Sequence, residues 1–163
     1  MSNLKLTFRA WPVITVVTIG LCYLTQLVAS WVGITLPDQA NLMMVKRMAG
    51  WNWAFIFLCL QVTTIIPALE ELVFRGLLFK LPCRWVRRPP FVTALAVVGS
   101  AVFSAAHYIM QPFPDSAFLA LGVFGLAQCW LLRKTNALWC VMLNHALFNM
   151  TNLVLLFIVP EAA

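Results

Sequence analysis

Pro67-Ala68-Leu69-Glu70-Glu71-Leu72-Val73-Phe74-Arg75-Gly76 lies within an apolar run over residues 51–79, and its reading decides how the whole chain is read. A run of that length exceeds the ~20 apolar residues that cross a bilayer. The three charges inside it each cost at least about 2.5 kcal/mol in hydrocarbon, so they mark a built polar site. Helical spacing puts Glu71 and Arg75 one turn apart on one face, where each neutralises the other. Glu70 is rotated by about 100° from Glu71 and keeps a carboxylate free to face elsewhere. Pro67 removes a backbone donor, which in an α-helix frees the carbonyl of Thr63 and bends the helix one turn before the acids.

Outward from this stretch the chain repeats the pattern of apolar run and short polar break. Runs over residues 11–32, 91–110, 116–132 and 137–159 complete five predicted spans, and residues 33–50 suit a loop with a short interfacial helix. Of the 163 residues 63% are hydrophobic and 10% charged, with a mean hydropathy of +0.91. A water-soluble domain carries nearer ~25% charge, so a soluble fold is excluded. The expectation is one all-α, polytopic membrane bundle over residues 1–163, without a separate soluble domain.

The net charge of +6 does not point to nucleic acid, because the basic residues fall in small groups between apolar runs. With the N-terminus in the cytoplasm, Lys5, Arg9, Lys80, Arg84, Arg87, Arg88, Arg133 and Lys134 lie inside, against Lys46 and Arg47 outside. Trp51, Trp53, Trp85 and Trp139 sit at span ends, as in an aromatic belt. The five cysteines show no C-x-x-C spacing and imply neither a disulfide framework nor a zinc knuckle. Cys83, in a basic segment, reads as an inert thiol before an acylated one.

Both histidines of the protein also lie in apolar runs. Ser100, Phe103, Ser104 and His107 share a face of the 91–110 helix, and His145, Asn149 and Asn152 share one of the 137–159 helix. Costly polar groups on separate helices point to a common interior, since lipid would leave them unsatisfied. Glu70, His107, His145 and Asn149 form the predicted cluster. A carboxylate can take a proton from water, an imidazole can orient that water, and an amide or ring N–H can donate to an oxyanion. Two histidines and a glutamate are also a donor set that zinc accepts, although the H-E-x-x-H spacing is lacking. Ser100, Ser104, Gln61, Thr63 and Asn152 read as ordinary interhelical or intrahelical hydrogen bonds.

Glu70-Glu71-x-x-x-Arg75, Phe103-x-x-x-His107 and His145-x-x-x-Asn149, in that order on three spans, resemble the CAAX prenyl protease and bacteriocin-processing (ABI) family of intramembrane endopeptidases. The resemblance covers residues 51–159. It implies peptide-bond hydrolysis within the bilayer of a bacterial plasma membrane, on a membrane-embedded or membrane-anchored substrate. It implies that Glu70 and His107 hold the attacking water, that His145 and Asn149 stabilise the oxyanion, and that Glu71, Arg75 and Phe103 support the site. No cofactor is expected under the glutamic-type mechanism, and a zinc metalloprotease is the alternative chemistry. The alternative function is a non-catalytic membrane partner, such as a bacteriocin-immunity factor or scaffold, and proton-coupled transport is disfavoured because the chain shows no paired halves.

Depth along the helices sets a condition on this site. Glu70 and His145 each lie about 15 Å from the basic ends of their runs, whereas His107 lies about 25 Å from Phe91. The levels meet only if the turn from Lys80 to Phe91 projects beyond the membrane or the third helix is strongly tilted, and the expectation is the projecting turn, with the second helix running past Lys80. A shared site requires His107 within about 8 Å of Glu70.

Overall fold

The computed structural model describes residues 2–37, 45, 47–50, 52–86, 88–109 and 115–158. In the predicted loop and short interfacial helix of 33–50, residues 38–44 and 46 lie outside the described residues, as do Trp51 and Arg87. Five helices are long: α1 (Asn3–Trp31), α2 (Trp53–Trp85), α3 (Pro89–Ile109), α4 (Phe118–Thr135) and α5 (Leu138–Ile158). Among the described residues there is no strand.

Four of the five, α1, α2, α3 and α5, are long and apolar enough to cross a membrane. The protein is an all-α integral membrane bundle. In α2 only 11% of the most apolar window is buried within the protein. Leu69, Leu72, Leu77 and Leu81 accordingly face outward, a placement that lipid stabilises and water would not. The fourth predicted span, 116–132, corresponds to α4, which is shorter than the others and falls short of the apolarity of a span. It takes the central position, packed against α1, α3 and α5, with Ala120, Phe124, Gln128 and Leu131 fully buried.

Small and polar residues hold α4 there, as expected where lipid removes any hydrophobic drive between helices. A Cβ built on Gly125 would lie 2.8 Å from Ser100 Cβ and 3.1 Å from its Cα, so glycine alone admits α3 at this distance. Ser104 Oγ donates to Phe118 O (2.6 Å), a second α3–α4 link. Gln128 Nε2 donates to Asn144 Oδ1 (2.9 Å), and Asn144 Nδ2 reaches Thr7 O (3.5 Å), joining α4, α5 and α1. Gly125→Val is expected to cost about 1–3 kcal/mol by overpacking. A thermal midpoint in detergent equal to that of the wild type would show that α3 can move aside freely.

At one end of the bundle Asn3 Nδ2 donates to Thr135 O (3.1 Å) and Lys80 Nζ to Asn136 O (2.7 Å). The start of α1, the later part of α2 and the α4–α5 turn thus share one end, with Arg84, Arg133 and Lys134. From Lys80, level with that turn, α2 continues to Trp85. The α2–α3 connection therefore extends about 7 Å beyond the turn. That extension accounts for most of the ~10 Å mismatch in depth between His107 and Glu70.

Candidate active site

The helix that carries the acids is not wound uniformly. Gln61–Ile65 and Leu72–Lys80 are π-helical, and between them Ile66–Glu71 is α-helical. In a π-turn each carbonyl is reached by the N–H five residues on, as Ile66 N–H reaches Gln61 O. The next donor in that register would be residue 67, and Pro67 has none. The carbonyl freed is consequently that of Val62, not that of Thr63 as an α-helical register implies. Asn149 Nδ2 donates to Val62 O at 2.9 Å and ties α5 to the break.

Beyond the break, the two glutamates diverge. Glu71 is fully buried, with Arg75 Nη1 3.2 Å from its Oε1. The Arg75 guanidinium lies 4.2 Å above the Phe103 ring, a cation–π contact that further offsets its burial. Glu70 points instead to the imidazoles and keeps 26% side-chain exposure, enough for a reactant to reach it. His107 Nε2 lies 3.9 Å from Glu70 Oε1 and His145 Nε2 lies 3.6 Å from Glu70 Oε2. The first distance is well inside the 8 Å that a shared site requires.

The opposite nitrogen of each ring has its own partner. His107 Nδ1 lies 2.9 Å from Phe103 O, and His145 Nδ1 lies 2.8 Å from Glu71 Oε1. Phe103 O only accepts, and an ionised Glu71 likewise only accepts, so both Nδ1 atoms carry hydrogen. In the neutral rings both Nε2 atoms are then lone pairs facing Glu70. His145 bridges the two glutamates through its two nitrogens, a link that joins the supporting pair to Glu70.

Phe103, Phe124 and Phe148 form the apolar wall. The Phe103 ring is 4.7 Å from that of His107, and the Phe124 ring is 4.8 Å from that of His145. His107 begins a short 3-10 turn that ends α3. Tyr108, next in that turn, donates to Asp115 Oδ1, which also accepts from Ala117 N–H (2.7 Å). The turn and the start of α4 are thereby tied together.

This constellation falls inside the region that a known family describes. The model of the family Rce1-like, type II CAAX prenyl endopeptidase, matches residues 51–151. The chain belongs to this family. The match spans α2, α3 and α4 and most of α5, and so takes in Glu70, His107, His145 and Asn149. No match was found among the curated proteins or the solved structures.

As a family member the chain is a membrane endopeptidase of the CAAX type, and its donors bear on whether a metal serves it. Glu70, His107 Nε2 and His145 Nε2 are the groups that could hold zinc, and each ring has its other nitrogen engaged, as zinc-bound histidines do. Among the described residues no group of three or more such side chains has metal-site spacing. Glu70 would in that case be a ligand, leaving the buried Glu71 as the remaining nearby carboxylate.

Of the residues singled out in the sequence, Glu70, His107, His145, Glu71, Arg75 and Phe103 meet in direct contacts. Asn149 enters through the Val62 carbonyl. Ser100 Oγ donates to Ala96 O and Asn152 Nδ2 to Phe148 O, both within their own helices. Gln128, Asn144, Tyr108 and Asp115 were not singled out. The first two carry a readable signal, an amide in the middle of an apolar run.

Proposed function

We propose that this family member hydrolyses a peptide bond of a membrane-embedded or membrane-anchored protein or peptide, with Glu70 as general base. The observation that carries the reading is the convergence of the half-buried Glu70 carboxylate with Nε2 of both histidines. The 3.6 and 3.9 Å separations are too long for direct hydrogen bonds and suit a water that donates to Glu70 and to His107 Nε2. Glu70 takes one proton of that water while its oxygen attacks the carbonyl carbon. The carbon–nitrogen bond then breaks, and the proton held by Glu70 passes to the leaving amine. The chain balances with no nucleophilic side chain.

The oxyanion is assigned to α5. Asn149 has two amide N–H bonds, one committed to Val62 O, and the second is available to the oxyanion. The donor form of His145 is the imidazolium, with Nδ1–H held by Glu71 and Nε2–H directed to the oxyanion. Asn149→Ala is expected to lower kcat about 10²-fold with little change in KM. An unaltered kcat would restrict Asn149 to its bond with Val62.

The metal-free route is preferred because Glu70 is needed as the base. Glu71 is fully buried and already engaged by Arg75 and His145. Elemental analysis of active, chelator-washed protein is expected to show zinc far below one equivalent, and stoichiometric zinc that tracks activity would assign the donors to a metal. The basic residues gathered at one end of the bundle support a cytoplasmic N-terminus, and a bacterial plasma membrane is proposed as the location. The family points to prenylated CAAX tails as the substrate class, and bacteriocin leaders, peptide pheromones and sorting signals present the same scissile chemistry. Comparing membrane proteomes from cells with the wild-type and Glu70→Gln proteins tests the function: an uncleaved precursor should accumulate only with the variant.

A further inference from the structure

The basic end of the bundle holds a cavity of about 500 Å³ that the proposed chemistry does not use. Lys80, Arg84 and Arg133 form its rim, and Phe79, Val92 and Leu132 its apolar floor. Among the described residues no carboxylate lines it. One Lys80 N–H is held by Asn136 O, which fixes the ammonium at the rim and leaves two donors. A second, apolar cavity of about 570 Å³ shares Lys80 and Arg84 and follows the outer side of the π-helical segment past Leu72, Leu77, Leu81 and Leu138. Gly76 lines it too, with open space toward Leu138 limited to ordinary contact. At the α-helical rise, an upper bound for its π-helical part, the helix climbs no more than about 18 Å from Leu72 to Arg84, comparable with one leaflet of a ~30 Å hydrocarbon core.

We propose that the two cavities form one binding site for an anionic phospholipid, its phosphate against Lys80, Arg84 and Arg133 and an acyl chain along the leucine groove. Charge complementarity selects the head: three cations meet no compensating acid among the described residues of the lining. The order of the chemistry selects an amphiphile, because the cationic rim continues into an apolar groove one leaflet deep. A soluble anion satisfies the rim and leaves the groove unused. A zwitterionic lipid fills the groove but brings no net negative charge to the rim. The acyl chain would lie on the segment that begins immediately after Glu71, so a lipid that binds the folded state steadies the helix carrying both glutamates.

The test uses the full chain in nanodiscs of phosphatidylcholine with or without phosphatidylglycerol, with retained lipid counted by native mass spectrometry. The wild type should retain phosphatidylglycerol at least tenfold over phosphatidylcholine, and its thermal midpoint should rise with phosphatidylglycerol. Arg84→Gln with Arg133→Gln should lose both effects. Arg84→Lys with Arg133→Lys should keep them, as should Lys134→Gln, which lies outside the lining. Equal retention by the double Gln variant would overturn the site. Inorganic phosphate raising the midpoint as much as the lipid does would reassign the rim to a soluble anion. Displacement of the lipid by a peptide with a free C-terminal carboxylate, but not by its amide, would reassign it to substrate. Either reassignment overturns the lipid proposal.

Discussion

Glu70→Gln is expected to lower peptide cleavage by about 10³-fold or more while leaving the folded, membrane-inserted amount of protein unchanged. Glutamine keeps the size and shape of the side chain and removes the proton acceptor that both Nε2 atoms face. Its nearest histidine nitrogens lie at 3.6 and 3.9 Å, so no short native hydrogen bond is lost. With a side chain 26% exposed, the change in stability should stay within about 0.5 kcal/mol. The measurement is single-turnover cleavage in proteoliposomes, normalised to monodisperse folded protein. A Gln variant that cleaves at the wild-type rate would remove Glu70 from the chemistry and favour the non-catalytic membrane partner.

The second large effect is on the fold. Arg75→Met is expected to destabilise the protein by about 3–5 kcal/mol, because it leaves the fully buried Glu71 carboxylate without its cation. The cation–π contact with Phe103 is lost at the same time. Methionine fills much of the same volume, so the effect reports charge in place of packing. Adding Glu71→Gln should recover part of the loss, since a glutamine side-chain oxygen still accepts the His145 Nδ1–H. Unfolding in mixed detergent micelles measures both variants. A single variant within 1 kcal/mol of the wild type, or a double variant no better than the single, would show that the pair does not hold the core together.

How much of this was legible beforehand differs by residue. The Glu71–Arg75 pair was legible because a helix places i and i+4 together whatever surrounds it. The membrane bundle was legible because a bilayer demands long apolar runs with internally satisfied backbones. The continuation of α2 past Lys80 followed from comparing depths along helices, an arithmetic that needs only the rise per residue. The π-turns around Pro67 were not legible, and the α-helical register named Thr63 where the structure frees Val62. Which register forms depends on whether something can satisfy the released carbonyl, and that partner, Asn149, lies 87 residues away.

Other features are equally remote in sequence. Gly125 reads as one glycine among seven until Ser100 is seen against it, and the Asn144–Thr7 contact spans 137 residues. The central place of α4, the one of the five long helices that falls short of a span's apolarity, runs against hydropathy alone. Small and hydrogen-bonding residues let it pack where greater apolarity would not help.

The residues of this chain were sufficient to establish a helical membrane protein and the three motifs that carry its family, because hydropathy and helical spacing are local properties. Tertiary structure decided the rest: that Glu70 faces both Nε2 atoms, that His145 joins it to the buried Glu71, and that Asn149 is anchored at the break before the acids. Those are distances between helices. They are set by side-chain packing across the bundle and by where each unpaired backbone or side-chain group finds its partner.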